Sequence, residues 1–142
     1  MIGARSSMRL ALLVGGLVHL LPLIGLLGRD QLQRLYGLAI EQPEVVMLFQ
    51  HRALLFGLIG GLMLSAVWRR ELQLAAGLIG VFSALGFLLL AGNPQQLGAA
   101  LQRVWLADLL VVGLLVPSSL WRATFEVRVA DQFGLTGRPD AE

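Results

Sequence analysis

The chain contains neither cysteine nor lysine, and charged residues of every kind are scarce. The absence of cysteine excludes a disulfide framework, an iron–sulfur cluster and any zinc site with cysteine ligands. Charged side chains make up 14% of the 142 residues, against about 25% in an average soluble domain. This composition excludes a soluble globular enzyme and a disordered protein, because too few charges are present to cover a surface in water.

Hydrophobic residues take the place of the missing charge. They make up 56% of the sequence, and the mean hydropathy is +0.75. The eleven cationic residues are all arginine, but they are scattered and the net charge is only +2. We therefore exclude nucleic acid as a partner, although the isoelectric point of 10.4 would suggest it in a soluble protein. The composition predicts an integral membrane protein surrounded by the lipid bilayer.

Four apolar segments are long enough to cross a bilayer, whose hydrocarbon core of about 30 Å requires about 20 helical residues. The sequence thus predicts an all-α fold, a polytopic membrane protein with a four-transmembrane-helix bundle over residues 8–121. The four spans are expected at residues 8–27, 44–68, 72–92 and 99–121. The first run is longer than the apolar core of a signal peptide and no small-residue cleavage site follows it, which indicates an uncleaved helix.

Polar segments flank and connect these spans. Residues 1–7 form a short N-terminal segment, and residues 122–142 form a tail that we expect to be partly disordered. Within this tail, residues 124–129 alternate between polar and apolar in the manner of a strand, although one strand alone has nothing to pair with. Between the first two spans, apolar residues at helical spacing predict a short amphipathic helix on the membrane interface, with an irregular loop as the alternative.

The distribution of arginine predicts the orientation of the protein. If the N-terminus is cytoplasmic, seven arginines at or beyond the ends of the spans lie on the cytoplasmic side and two lie on the other side. Loops rich in arginine and lysine stay in the cytoplasm. We therefore expect a multi-pass protein of the bacterial inner membrane with both termini cytoplasmic.

Small residues repeat at intervals of four in the second and third spans, which a turn of three residues joins into a hairpin. In lipid, such stripes allow helices to approach closely. The stripes consist of Gly57, Gly61 and Ser65 in the second span and Ala76, Gly80 and Ala84 in the third. The simplest arrangement has the two stripes facing each other, and the alternative is a homodimer interface.

Ionisable residues inside the spans mark a candidate site, because such residues are costly in a bilayer and are usually paired or functional. At about 1.5 Å per residue, three of them lie about 12–13 Å from the same, outer end of their helices: His19, Arg52 and Asp108. Gln50 and His51 complete the polar cluster. Arg103 lies five residues before Asp108 on another side of that helix, so Arg52 is its better partner.

Four interpretations of this cluster remain open. Arg52 and Asp108 can form a structural ion pair. All five residues can instead line a pocket, open to the outer leaflet, for a quinone or another lipophilic molecule with a polar head. The two histidines can ligate haem, or Asp108 can carry protons or ions in a small dimeric transporter. No Ser-His-Asp or HExxH pattern supports hydrolysis, so we expect no catalytic residue and no metal site. A binding or accessory protein is thus favoured over a stand-alone enzyme.

The sequence resembles the small DoxX-like four-helix membrane proteins of bacteria. The resemblance rests on the segment HRALLFGLIGGLML at residues 51–64, on Leu35-Tyr36-Gly37 and on the single acidic residue Asp108 in the last span. It covers about residues 8–121. It implies a four-helix bundle and a link to membrane redox chemistry, since the wider group includes a subunit associated with quinone-linked oxidation of sulfur compounds. A separate hypothesis is a redox enzyme subunit that holds quinone or haem within a larger membrane complex. No catalytic motif of the family is present to carry over.

Overall fold

The computed structural model describes the backbone of residues 2–132 and the side chains of residues 6–124. Apart from short connections, this described backbone is helical. The five helices are α1 (Ile2–Leu20), α2 (Arg29–Tyr36), α3 (Pro43–Trp68), α4 (Gln73–Ala91) and α5 (Ala99–Gln132). Three short 3₁₀ segments connect them, at Leu21–Leu27, Arg70–Leu72 and Pro94–Gln96. The strand-like pattern at residues 124–129 is misleading, because this segment continues α5. The end of the predicted disordered tail, residues 133–142, lies outside the described residues.

Four of the helical segments are long and apolar enough to cross a membrane, which confirms the predicted number of spans. They are Ser6–Leu27, Pro43–Trp68, Arg70–Ala91 and Ala99–Thr124. Their outer surfaces are apolar as well, since 23 of the described large hydrophobic side chains in these spans are exposed, with Phe82 at 83% and Leu90 at 91%. Such a surface is stable in lipid and would aggregate in water. These features fit a multi-pass membrane protein.

The first span changes its helical geometry beside Pro22. The α-helical part ends at Leu20, and the next seven residues continue as a 3₁₀ helix with the proline in its first turn. A proline removes one backbone donor and clashes with the preceding turn of an α-helix. Gln50 of α3 packs on this segment and donates from Nε2 to the carbonyl oxygen of Leu26 at 3.3 Å. A polar side chain in the second span thus stabilises the irregular end of the first.

Glycines bring α1 and α3 into backbone contact. Gly15 and Gly16 are buried on the inner face of α1, as their position beside His19 predicts. A Cβ atom placed on Gly60 would lie only 2.8 Å from the carbonyl oxygen of Gly16, and one placed on Gly15 would overlap the Met63 side chain. Gly60 therefore accepts only glycine at the present helix separation, because it faces a backbone atom, whereas the contact at Gly15 is with the end of a flexible side chain.

The small-residue stripes predicted to face each other contact different partners. A Cβ on Gly57 would collide with Leu23 of the first span, a Cβ on Gly61 would meet nothing within 4 Å among the described atoms, and Ser65 is exposed. On α4, Ala76, Gly80 and Ala84 are buried, and Gly80 packs on Leu115 of α5 and Met63 of α3. The facing arrangement is therefore wrong. The sequence shows which faces are small but not which neighbour each face meets.

The segment between the first two spans forms a helix instead of the alternative irregular loop. Gly28 and Gly37 flank α2 at φ values of 120° and 67°, a conformation that glycine adopts without strain. Leu32, Tyr36 and Ile40 form a buried cluster with side chains from the first turns of α3 and α5. This packing holds Tyr36 against one end of the bundle.

Candidate functional site

A cavity of about 300 Å³ lies at the end of the bundle where α3 and α5 begin. Four helical elements enclose it, because the end of the first span, α2, α3 and α5 meet there. Eight of its lining residues are apolar and six carry polar or charged groups. The lining consists of Val18, His19, Leu21, Pro22, Arg34, Leu35, Tyr36, Arg52, Phe56, Ala100, Arg103, Val104, Ala107 and Asp108. A mostly apolar wall with a few convergent polar groups is typical of small-molecule sites, and this volume lies near their lower limit.

His19 lies in the last turn of α1 and is only 1% exposed. Its Nδ1 donates a hydrogen bond to the carbonyl oxygen of Gly15 at 2.8 Å. Its Nε2 is buried and has no hydrogen-bond partner among residues 6–124. In the neutral ring, a donating Nδ1 leaves Nε2 with a lone pair. We call Nε2 of His19 the open acceptor.

Arg52 extends from α3 into a group of three aromatic rings. The carbon at the centre of its guanidinium lies 4.8 Å from the centre of the Phe56 ring, 5.4 Å from Tyr36 and 5.9 Å from Phe87. Cations are stabilised over aromatic faces at these distances, and more strongly where water is excluded. The rings therefore hold the positive charge of Arg52 at the cavity wall. Phe56 also packs against His19, with ring centres 5.5 Å apart.

Asp108 lies on α5 and is 5% exposed. It interacts electrostatically with Arg52, and both side chains line the cavity. Among the described side chains, however, no ion pair or hydrogen bond joins the two. The two residues are therefore close, as their matching depths predict, but they do not form the direct ion pair that was one of the four interpretations, and Asp108 lines the cavity.

Tyr36 and two further arginines complete the cavity wall. Tyr36 is 4% exposed, and this burial raises the pKa of its phenol, an effect that the nearby positive charge of Arg52 partly offsets. Arg34 and Arg103 are exposed, and Nε of Arg103 donates to the carbonyl oxygen of Ala99 at 3.3 Å. The cavity thus has buried polar groups inside and exposed cationic groups at its rim.

Three of the five residues predicted to form the polar cluster line this cavity: His19, Arg52 and Asp108. The other two lie elsewhere, since Gln50 contacts the Leu21–Leu27 segment and His51 is exposed on α3. The two histidines therefore do not converge as a pair of haem ligands would have to.

Sequence reasoning missed the aromatic side chains around Arg52. Phe56 follows Arg52 by four residues and therefore shares its helix face, a signal that was available. Phe87 comes from α4, and its approach depends on tertiary packing that no spacing reveals. Tyr36 is the single tyrosine of the chain. Its position on the predicted amphipathic helix between the first two spans was a second signal that an aromatic ring lies near this end of the bundle.

A second polar contact lies at the opposite end of the bundle. Arg122 of α5 donates from Nη1 to Oε1 of the buried Gln73, and from Nη2 to the carbonyl oxygen of Arg70 at 2.9 Å. These bonds tie α5 to the start of α4. Within the described part of the chain, no group of three or more histidine, aspartate or glutamate residues could hold a metal ion.

Comparison with known proteins gives no relative from which function can be transferred. No family model, no curated protein and no solved structure matches the chain. The arguments for function therefore rest on the cavity itself.

Proposed function

We propose that the protein is a small membrane binding or accessory protein that takes a lipophilic molecule with a polar head, such as a quinone, into this cavity. The observation that carries the proposal is the open acceptor, a buried nitrogen without a described partner on His19, a residue that lines a largely apolar cavity. Buried polar groups normally have a hydrogen-bond partner, and an exception requires an explanation. A hydrogen-bond donor on the polar head of a ligand would supply that partner.

The chemistry of the cavity wall supports a ligand with a polar head and an apolar tail. The guanidinium of Arg52 can only donate hydrogen bonds, whereas the open acceptor can only receive one. Apolar side chains such as Val18, Leu21 and Val104 surround them. A polar ring with an apolar tail matches this combination, because the head meets the charged groups while the tail extends among apolar side chains.

The proposal also includes a position for the cavity within the membrane. We propose that this end of the bundle lies in the outer half of the bacterial inner membrane, with both termini cytoplasmic, and the arginine distribution supports this orientation. In this orientation α2 lies on the outer interface. The resemblance to DoxX-like proteins supports a role beside a membrane redox system, as an accessory chain that holds the ligand. The open face of Gly61 keeps a homodimer compatible with this role.

The test is direct binding of decylubiquinone to the purified protein in detergent, measured by calorimetry. Arg52→Gln should weaken binding about tenfold, because a hydrogen bond to a charged group contributes about 1.5–3 kcal/mol. His51→Gln is the matched control, since His51 is adjacent in sequence but exposed, and it should bind like the unmodified protein. Equal affinity for all three proteins would overturn the proposal, and so would the absence of saturable binding of both decylubiquinone and its reduced form.

A further inference from the structure

The hydrogen-bonding groups inside the cavity differ in the direction in which they bond. Because Nδ1 of His19 donates to a carbonyl oxygen, only the lone pair of Nε2 remains for a ligand. His19 is almost fully buried, and a charged ring is costly to bury, so we take the ring as neutral. Asp108 lines the same cavity, and an ionised carboxylate also accepts without donating. The two buried polar groups on α1 and α5 therefore both need a donor.

The cationic groups of the cavity need a hydrogen-bond acceptor as their partner. Arg52, Arg34 and Arg103 line it, and guanidinium groups donate without accepting. A ligand oxygen that bridges the two sets must therefore accept from an arginine and donate to His19 or Asp108. A carbonyl oxygen can only accept, whereas a hydroxyl does both.

We infer that the cavity selects a hydroxyl-bearing head group, and therefore the reduced quinol form of a quinone-type ligand over the oxidised form. This inference rests on the proposed function. In the quinol complex, the phenolic hydroxyl donates to the open acceptor while its oxygen accepts from the cationic side of the cavity. In the quinone complex, a carbonyl oxygen faces a nitrogen lone pair, and the buried acceptor lacks a donor.

The experiment compares decylubiquinol with decylubiquinone, bound anaerobically to the same purified protein at about pH 7.5. The quinol should bind roughly tenfold more tightly, because an unsatisfied buried acceptor carries its full desolvation cost. Preferential binding of the reduced form raises the midpoint potential of the bound couple. A tenfold preference corresponds to about 30 mV for two electrons. A redox titration of the bound ligand thus measures the same preference without a substitution.

Two variants assign the preference to His19. His19→Phe keeps a ring beside Phe56 but has no acceptor there, so its preference for the quinol should fall well below that of the unmodified protein. An unchanged preference would contradict the role of His19 and leave Asp108 as the acceptor. His19→Gln has an amide oxygen that can accept, so it should retain part of the preference. If His19→Phe fails to fold, the midpoint potential of the quinone–quinol couple bound to the unmodified protein still tests whether the cavity prefers the quinol.

The possible results separate the two proposals. Equal or tighter binding of the quinone by the unmodified protein would overturn the selectivity and leave the binding function standing. If neither form binds, the proposed function itself is wrong.

Discussion

Replacing Gly60 by alanine should destabilise the protein, whereas the same replacement at Gly61 should not. A Cβ on Gly60 would lie 2.8 Å from the carbonyl oxygen of Gly16 and 3.0 Å from the side chain of Leu20. A Cβ on Gly61 would meet nothing within 4 Å among the described atoms. Since the Gly16 oxygen belongs to the backbone, no side-chain rotation relieves the clash, and α1 and α3 have to move apart.

The size of the effect follows from two opposing terms. Overpacking a well-packed contact costs about 1–3 kcal/mol. Alanine also favours the helical state over glycine by about 1 kcal/mol. That gain applies to both neighbouring positions inside α3 and cancels when the variants are compared. Gly60→Ala should therefore be less stable than Gly61→Ala by about 1–3 kcal/mol.

Thermal unfolding of the two variants in the same detergent, followed by helical circular dichroism, measures this difference. Gly60→Ala should also weaken ligand binding, because His19 lies one turn beyond Gly15 on the helix that has to move. Equal melting temperatures would refute the close crossing of α1 and α3. A loss of stability at Gly61 instead would mean that this face packs on another surface, such as a second copy of the chain.

Three other features have measurable consequences. Burial raises the pKa of Tyr36, the single tyrosine of the chain, so an absorbance titration should show its ionisation above pH 10. Because the folded protein favours the protonated phenol, this contribution to stability is present below the unfolded-state pKa of about 10 and is lost as the pH rises through the folded-state pKa. Ionisation of Tyr36 at the ordinary pKa would contradict its burial. Gln73→Leu should lower the melting temperature, because the hydrogen bond from Arg122 is worth about 1.5–3 kcal/mol; an unchanged value would mean that this contact does not stabilise the bundle. A reporter enzyme fused after Glu142 should be active only in its cytoplasmic form, and periplasmic activity would overturn the orientation.

The spans could be predicted from sequence because one physical requirement determines them. A helix that crosses lipid needs about 20 apolar residues, and this signal is local to each segment. The change of helical geometry beside Pro22 is also a local effect, because a proline disturbs the helical turn that precedes it. The sequence also predicts that Arg52 and Asp108 line one site, because residues at similar depths on neighbouring helices lie close together.

The neighbours of each helix face could not be predicted in the same way. Gly57 was expected to face α4, but it meets Leu23, because the order of helices around the bundle depends on tertiary packing. His51 was grouped with Arg52, yet the 100° between successive residues carries it to the surface. The aromatic rings around Arg52 come from α2, α3 and α4, a combination that no single helix pattern contains.

Photoaffinity labelling with an azidoquinone tests the central claim most directly, because it locates the ligand on the chain. The cavity predicts labelled peptides that contain Tyr36, Phe56 or Val104, with labelling abolished by excess decylubiquinone. Labelling confined to lipid-facing residues such as Phe82, unchanged by the competitor, would contradict the claim that this cavity binds a lipophilic ligand.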